Sequence, residues 1–222
     1  MTAYSWITFD CYGTLVDWEG GMRAAFAPIL KAHGLEARPD LAAKYIQHEM
    51  LVERREYQPY RQVLAETSRR LFKSDYGVEL SDAEAAALAD SLPGWEPFPE
   101  AAAALERLKK RYKIAVLSNI DDDLLEASLK RLGVAFDETI TAQQVRSYKP
   151  VNTHWKEALE RFRLDPDGLF HVGASSLHDV LPAKQLGIAC AWINRTGERA
   201  FASTAADVTL PDLTGLPEYL GA

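Results

Sequence analysis

Disulfide scaffolding is excluded by scarcity: the 222-residue chain has only two cysteines, Cys11 and Cys190. So few thiols fit a reducing compartment, and both fall in or beside expected strands, where a free cysteine is ordinarily a small buried side chain. Long hydrophobic runs are lacking too, so no segment reaches the length of a bilayer-spanning helix. No charged start followed by an apolar stretch marks a secretory signal. The expectation is a cytoplasmic protein with no membrane partner. A basic excess is also missing. The net charge is −7, which argues against nucleic acid, whose phosphates need a basic face. A small anionic substrate stays compatible, because a local pocket can oppose the global sign. Repeats and low-complexity linkers are absent.

What is present suits one large domain or a domain carrying an insertion. Apolar residues make up 47% of the chain, enough for a sizeable core. The stretch Ser5-Trp6-Ile7-Thr8-Phe9-Asp10-Cys11-Tyr12-Gly13-Thr14 organises the rest. A mostly apolar run ends in a carboxylate and a turn signal, which reads as a buried parallel strand over residues 4–10. Asp10 then sits at the carboxyl end of a strand, where open α/β sheets bind ligands. An Asp after a strand also commonly caps the next segment. Both readings stand on this stretch alone.

The next seventy residues carry helical periodicity only. The pattern predicts helices over 20–33 (Met22, Ala25, Phe26, Ile29, Leu30 inward), 40–57 (Leu41, Tyr45, Met50, Leu51 inward) and 60–76 (Val63, Leu64, Leu71, Phe72 inward). A capping box, Ser81 with Glu84, opens a helix over 82–91. Three prolines within Pro93–Pro99 form a rigid connector. Beyond it, helices over 99–111, 121–132, 151–163 and 178–186 alternate with strands over 113–118, 138–141, 169–173, 188–193 and 207–210. Such alternation is the signature of a parallel sheet covered on both faces. The predicted fold is therefore α/β, a Rossmann-like doubly wound parallel sheet. Its core comprises residues 1–16 and 95–222, and a helical cap over 17–94 roofs the strand ends as a lid would.

Each core strand ends in polar residues: Asp10 and Thr14, then Ser118-Asn119, then Ser147-Tyr148-Lys149-Pro150, then Gly173-Ala174-Ser175-Ser176 with His178-Asp179. Parallel topology puts these ends on one edge. Singly, each has an ordinary use. Ser118-Asn119 can cap a helix, Lys149 can be a solvated lysine, and Asp179 can favour a helix dipole. Jointly they suggest a site.

Phe9-Asp10-x-Tyr12-Gly13-Thr14-Leu15, Leu117-Ser118-Asn119, Tyr148-Lys149-Pro150 and the late Asp179 resemble, in order and spacing, the four motifs of the haloacid dehalogenase superfamily. The cap falls where that superfamily places one. Trp192-Ile193-Asn194-Arg195-Thr196-Gly197 is similar to the corresponding segment of type II 2-haloacid dehalogenases. Most members are Mg²⁺-dependent phosphotransferases with Asp-x-Asp in the first motif. Here Tyr12 replaces the second Asp, and a phenol near pKa 10 is a poor acid for an alkoxide leaving group. Ala174 stands where phosphatases place a Mg²⁺-binding Asp. The resemblance to type II dehalogenases implies a metal-independent hydrolysis of a short 2-haloacid. Asp10 is then the nucleophile, held by Lys149 and Thr14. Tyr12, Ser118 and Asn119 bind the substrate carboxylate or ester, and Asp179 with Ser175 or Ser176 orients water. No cofactor is implied; Mg²⁺ belongs only to the alternative, a phosphatase of the same fold. A non-catalytic binding protein on this fold is the third reading. Several positions depart from the type II pattern. Ile46 or Gln47 occupies the place of a halide-binding cap Arg, and Arg54, Arg55 and Arg61 are the nearby cap cations. Ala174 and Ser176 replace a Ser and an Asn, Trp155 replaces a Tyr, and His178 is a further change, a candidate proton carrier or simply a capping residue. A homodimer is the base-rate expectation.

Overall fold

The computed structural model describes residues 4–201 and 205–222; residues 1–3 of the expected core, and 202–204, lie outside them. Six parallel strands form one sheet in the order β3-β2-β1-β4-β5-β6. They are β1 (Trp6–Phe9), β2 (Lys113–Ser118), β3 (Glu138–Thr141), β4 (Leu169–Gly173), β5 (Ala189–Ile193) and β6 (Val208–Leu210). The order reverses at β1, which pairs with β2 on one side and β4 on the other. A crevice opens at such a switch point, beyond the strand ends. This is the expected Rossmann-like α/β architecture.

Period-two alternation assigns the faces. Ile7, Phe9, Ile114, Val116, Phe170 and Val172 enter a large core shared with the helical cap. Trp6, Ala115, Leu117, Leu169 and Cys190 enter a second core around Trp155. Both faces of the central strands are covered, so β1 has no exposed residue. Truncating the fully buried Phe9 to Ala would cost about 3–5 kcal/mol. Both cysteines are free and buried, and burial raises each thiol's pKa.

Between β1 and β2 lie only helices: α1 (Trp18–Ala32), α2 (Leu41–Glu53), α3 (Tyr60–Leu71), α4 (Asp82–Ser91) and, beyond the connector, α5 (Ala101–Leu108). Asp17 caps α1 by accepting from the Gly20 N–H, and the Ser81–Glu84 capping box of α4 is formed. The chain enters and leaves the cap side by side. Val16 bridges Pro97, the Phe98 N–H donates to the Leu15 carbonyl at 2.9 Å, and the Asp17 N–H donates to the Glu96 carbonyl at 2.9 Å. A second fastening joins α3 to the core. Asp121 accepts from the N–H groups of Tyr60 (2.8 Å) and Arg61 (2.9 Å), which are otherwise orphan donors of a helix start.

Several expectations need correction. The second helix stops at Glu53 rather than 57. Gln58 precedes a proline, which disfavours helical geometry, and its carbonyl instead accepts from Tyr148 Oη at 2.7 Å. On α2 the buried residues are Leu41, Tyr45 and Val52, whereas Leu51 is 47% exposed. The third helix ends at Leu71 and continues as a wider π turn, Phe72–Tyr76, closed by Gly77 at φ +71°. Another π turn, Ser176–Val180, precedes α9 (Leu181–Gln185). The remaining helices are α6 (Asp122–Leu132), α7 (Ala142–Val145), α8 (Thr153–Phe162) and α10 (Leu216–Tyr219); the one-turn α7 and α10 lack the length for a periodic pattern. Among the described residues, no helix is long and apolar enough to cross a membrane.

Candidate active site

Asp10 leaves the end of β1 with its main-chain N–H bonded to the Val172 carbonyl at 2.9 Å. Its side chain is nearly enclosed. Thr14 Oγ1 donates to Asp10 Oδ2 at 2.8 Å, and Lys149 Nζ donates to Asp10 Oδ1 at 2.8 Å. Thr14 is itself placed by the Ala174 N–H, which donates to its Oγ1 at 2.9 Å. Gly13 makes the turn possible at φ +91°, a backbone state that costs other residues more.

Lys149 is the hub. Its ammonium also donates to Asp179 Oδ1 at 2.7 Å and to the Leu117 carbonyl at 3.0 Å, so all its N–H bonds are used. The Lys149 side chain is 2% exposed and that of Asp179 only 1%. Burial alone would neutralise this lysine, but Asp10 and Asp179 outweigh it and hold the ammonium charged. Burial likewise opposes ionisation of Asp179. Lys149 and His171 override it and keep that carboxyl below its ordinary range. Asp10 gains less. Burial, helped by the Asp179 charge and opposed by Lys149 and Thr14, pushes it up to about 6.

Asp179 depends on two further supports. The Ser175 N–H donates to its Oδ2 at 3.0 Å, and His171 Nε2 stands 3.5 Å from its Oδ1. Both carboxylate oxygens of Asp179 therefore already have donors. His171 Nδ1 pairs with Thr8 Oγ1 at 2.9 Å, and burial keeps the ring's pKa low. Gly173 lets Asp179 come this close, since a Cβ there would lie 2.3 Å from the carboxyl carbon.

A cavity of about 550 Å³ opens beside Asp10. Its core wall includes Tyr12, Ser118, Asn119 and Lys149, and the turn after β4 contributes Ser175, Ser176 and His178. All nine residues expected from the sequence are thus brought to one place, but they stand differently within it. Tyr12 turns its hydroxyl to Ser128 Oγ at 2.8 Å and sets its ring edge-on to Trp95. Ser118 is 1% exposed, and its Oγ has no partner among the described residues. Asn119 is engaged with the Lys149 main chain. Ser175 Oγ accepts from the His178 N–H and pairs with His178 Nδ1, both at 3.0 Å. Ser176 Oγ accepts from the Phe201 N–H at 2.9 Å. The other ring nitrogen of His178 is unpaired among the described residues, and burial lowers its pKa.

The cap wall differs from expectation. Ile46 does line the cavity, but Gln47 does not. Arg54 is exposed, while Arg55 pairs with Glu66 and Arg61 with Asp123, away from the site. Two carboxylates, Glu49 and Glu53, face the cavity instead, beside Tyr60. Their spacing of four on a helix whose inner face carries Tyr45 and Val52 was the available signal. Arg199 and Phe201 line it from the loop after β5.

The chain is 29% identical over 197 residues to the (S)-2-haloacid dehalogenase of Pseudomonas sp. (strain YL), covering 86% of this chain and 83% of that one. It is also 27% identical over 217 residues to the validoxylamine A 7'-phosphate phosphatase of Streptomyces hygroscopicus subsp. limoneus, covering 95% of each. Its fold superimposes on the L-2-haloacid dehalogenase of Xanthobacter autotrophicus with a TM-score of 0.83, at 22% identity and 99% coverage of both chains. The model of the haloacid dehalogenase-like hydrolases matches residues 4–187, and the chain belongs to that family of hydrolases.

Proposed function

We propose that this hydrolase cleaves the carbon–halogen bond of a short 2-haloacid through an ester on Asp10, without a metal. One observation carries the reading: the Lys149 ammonium lies between Asp10 and Asp179, bonded to both. That ammonium already stands where a cation between the two carboxylates would sit, and octahedral Mg²⁺ would find only those two carboxylates as protein ligands. Each of the four carboxylate oxygens accepts from Lys149, Thr14 or the Ser175 N–H. Ala174 adds no ligand, and the Tyr12 hydroxyl is occupied at Ser128. Mg²⁺ does not fit this donor set. Burial also pushes the Tyr12 hydroxyl pKa well above its ordinary value, which makes it a still poorer acid.

Displacement of halide needs no acid, because halide leaves as an anion. An Asp10 oxygen attacks C2 opposite the halogen. The carbon–oxygen bond forms as the carbon–halogen bond breaks, and the bonding pair departs with the halide. C2 inverts once. Water then adds to the Asp10 carbonyl carbon, and collapse returns the carboxylate and a 2-hydroxy acid. Lys149, fixed beside Asp10, offsets the negative charge that develops on the carbonyl oxygen. Asp179, bonded to Lys149 through Oδ1, holds the ammonium in place. His178, with a free ring nitrogen in the cavity wall, takes the proton of the hydrolytic water.

The similarity to haloacid dehalogenases supports this chemistry, and the phosphatase relative supplies the contrast to test. Chloride should be released from (S)-2-chloropropionate with chelator present, and Asp10→Asn should abolish release. In a single turnover in heavy-oxygen water, label should enter Asp10 rather than the product. An unlabelled Asp10 despite turnover, or Mg²⁺-dependent release of phosphate from p-nitrophenyl phosphate in place of chloride, would overturn the reading.

A further inference from the structure

The cap side of the cavity is acidic where an anion-binding group was expected. Glu49 and Glu53 stand one turn apart on α2, both partly buried and both lining the cavity. Residues four apart share a helix face, so the two carboxylates are presented together. Each has one oxygen engaged. Glu49 Oε1 accepts from Tyr60 Oη at 2.8 Å, and Glu53 Oε1 accepts from Asn119 Nδ2 at 3.3 Å. The Tyr45 phenol also stands against the Glu49 carboxyl, while the second oxygen of Glu53 has no protein donor among the described residues. Neither carboxylate belongs to an ion pair there, since the nearby buried cation, Lys149, is spent on Asp10 and Asp179.

This arrangement is electrostatically incomplete. Burial pushes Glu49 up to about 7, and burial together with the Glu49 charge pushes Glu53 well above its ordinary value. A metal ion does not suit the wall, because a phenol O–H and an amide N–H already point at the carboxylates. An ammonium does suit it, as its three N–H donors can bridge the two carboxylates. A second feature of the same cavity points to a ligand. Ser118 Oγ is buried against the cavity with no partner among the described residues. An unpaired buried hydroxyl calls for a polar group from outside the chain. Glu198 and Arg199, both exposed, add one charge of each sign to the cavity lining.

We infer that Glu49 and Glu53 bind a protonated amine of the substrate. The preferred substrate is then zwitterionic, with an acid group toward Ser118 at the end of β2 and an ammonium on the cap side. This inference rests on Asp10 as the reacting group of the same cavity, and it narrows the substrate to an amino-bearing acid.

Products of the proposed reaction report recognition without turnover. Calorimetry at about pH 8, above the Glu49 pKa, would compare (R)-lactate, (R)-glycerate and (R)-3-amino-2-hydroxypropanoate. These differ only in a hydrogen, hydroxyl or ammonium on C3. The amino acid should bind roughly tenfold or more tightly than the other two, as expected for a charge-assisted bond. Glu49→Gln and Glu53→Gln, which keep side-chain shape, should erase that gain and spare lactate. Equal binding of the three, no binding of the amino compound, or a gain that survives both substitutions would overturn the inference. The ligand series in the unaltered protein needs no variant to fold. Chloride release from (S)-2-chloropropionate without any ammonium preference would sink the recognition and leave the reaction standing. The preference without chloride release would do the reverse.

Discussion

Asn119 grips Lys149 by its main chain: Oδ1 accepts from the Lys149 N–H at 2.7 Å, and Nδ2 donates to the Lys149 carbonyl at 3.1 Å. The end of β2 thereby sets where the lysine side chain begins, and the Leu117 carbonyl helps set where it ends. Asn119→Ala should lower chloride release roughly tenfold to a hundredfold, the usual cost of a misplaced charge near the reacting atoms. Asn119→Asp, which keeps the acceptor but sets a carboxylate oxygen against the Lys149 carbonyl and Glu53 Oε1, should fall at least as far. Initial rates on (S)-2-chloropropionate measure both, and an unaffected Asn119→Ala would contradict this role.

In the proposed reaction, attack requires ionised Asp10. Because burial holds its pKa at about 6, protonation below that value removes the nucleophile. The acid limb of kcat/KM should therefore bend near pH 6 and fall about tenfold per unit below it. Asp179→Asn removes a like charge and leaves Lys149 to Asp10 alone. Both effects lower the Asp10 pKa, so the bend should move to lower pH even as the rate drops. A pH–rate profile of each protein decides the sign.

Gly173→Ala tests the packing behind the site. The added methyl would lie 2.5 Å from Asp179 Oδ2 and 2.3 Å from its Cγ, and Asp179 is locked to Lys149 on its other oxygen. Such overpacking should cost about 1–3 kcal/mol, read from urea unfolding, with activity lost in parallel. Full activity at unchanged stability would show that Asp179 has room to move.

His178→Gln should separate the two chemical steps. Halide displacement needs no proton transfer, whereas attack by water does. The variant should release a stoichiometric burst of chloride and then stall, with the alkyl group retained on Asp10. Turnover should fall about a hundredfold or more, and intact-protein mass spectrometry would detect the trapped ester. A variant without a burst, or one with undiminished turnover, would remove His178 from the second step.

The convergence of Asp10, Thr14, Ser118, Lys149 and Asp179 was legible because parallel strands must end on one edge, and polar residues at several such ends must meet. Side-chain direction was not legible. Tyr12 shows its ring to the cavity but sends its hydroxyl to Ser128. Ser175 spends its hydroxyl within its own turn, on the N–H and ring of His178. Periodicity put Leu51 inside the cap helix, yet the buried face runs through Tyr45 and Val52. That difference of one position also hid Glu49 and Glu53, since an acid on a predicted helix is ordinarily solvated. What reads as surface charge in one dimension becomes cavity wall only once the cap closes over the sheet.

The side-by-side entry and exit of the cap have a consequence for modularity. With Val16 bridged to Pro97 and Leu15 hydrogen-bonded to Phe98, the whole insertion hangs from two neighbouring threads, about one strand spacing apart. A segment whose own ends lie that close can enter and leave at the same doorway, provided that it also replaces the donors the cap gives Asp121 and the apolar cover it gives the shared core. The proposed reacting groups, Asp10 and Lys149, thus belong to the sheet, and the proposed recognition groups, Glu49 and Glu53, to the insertion.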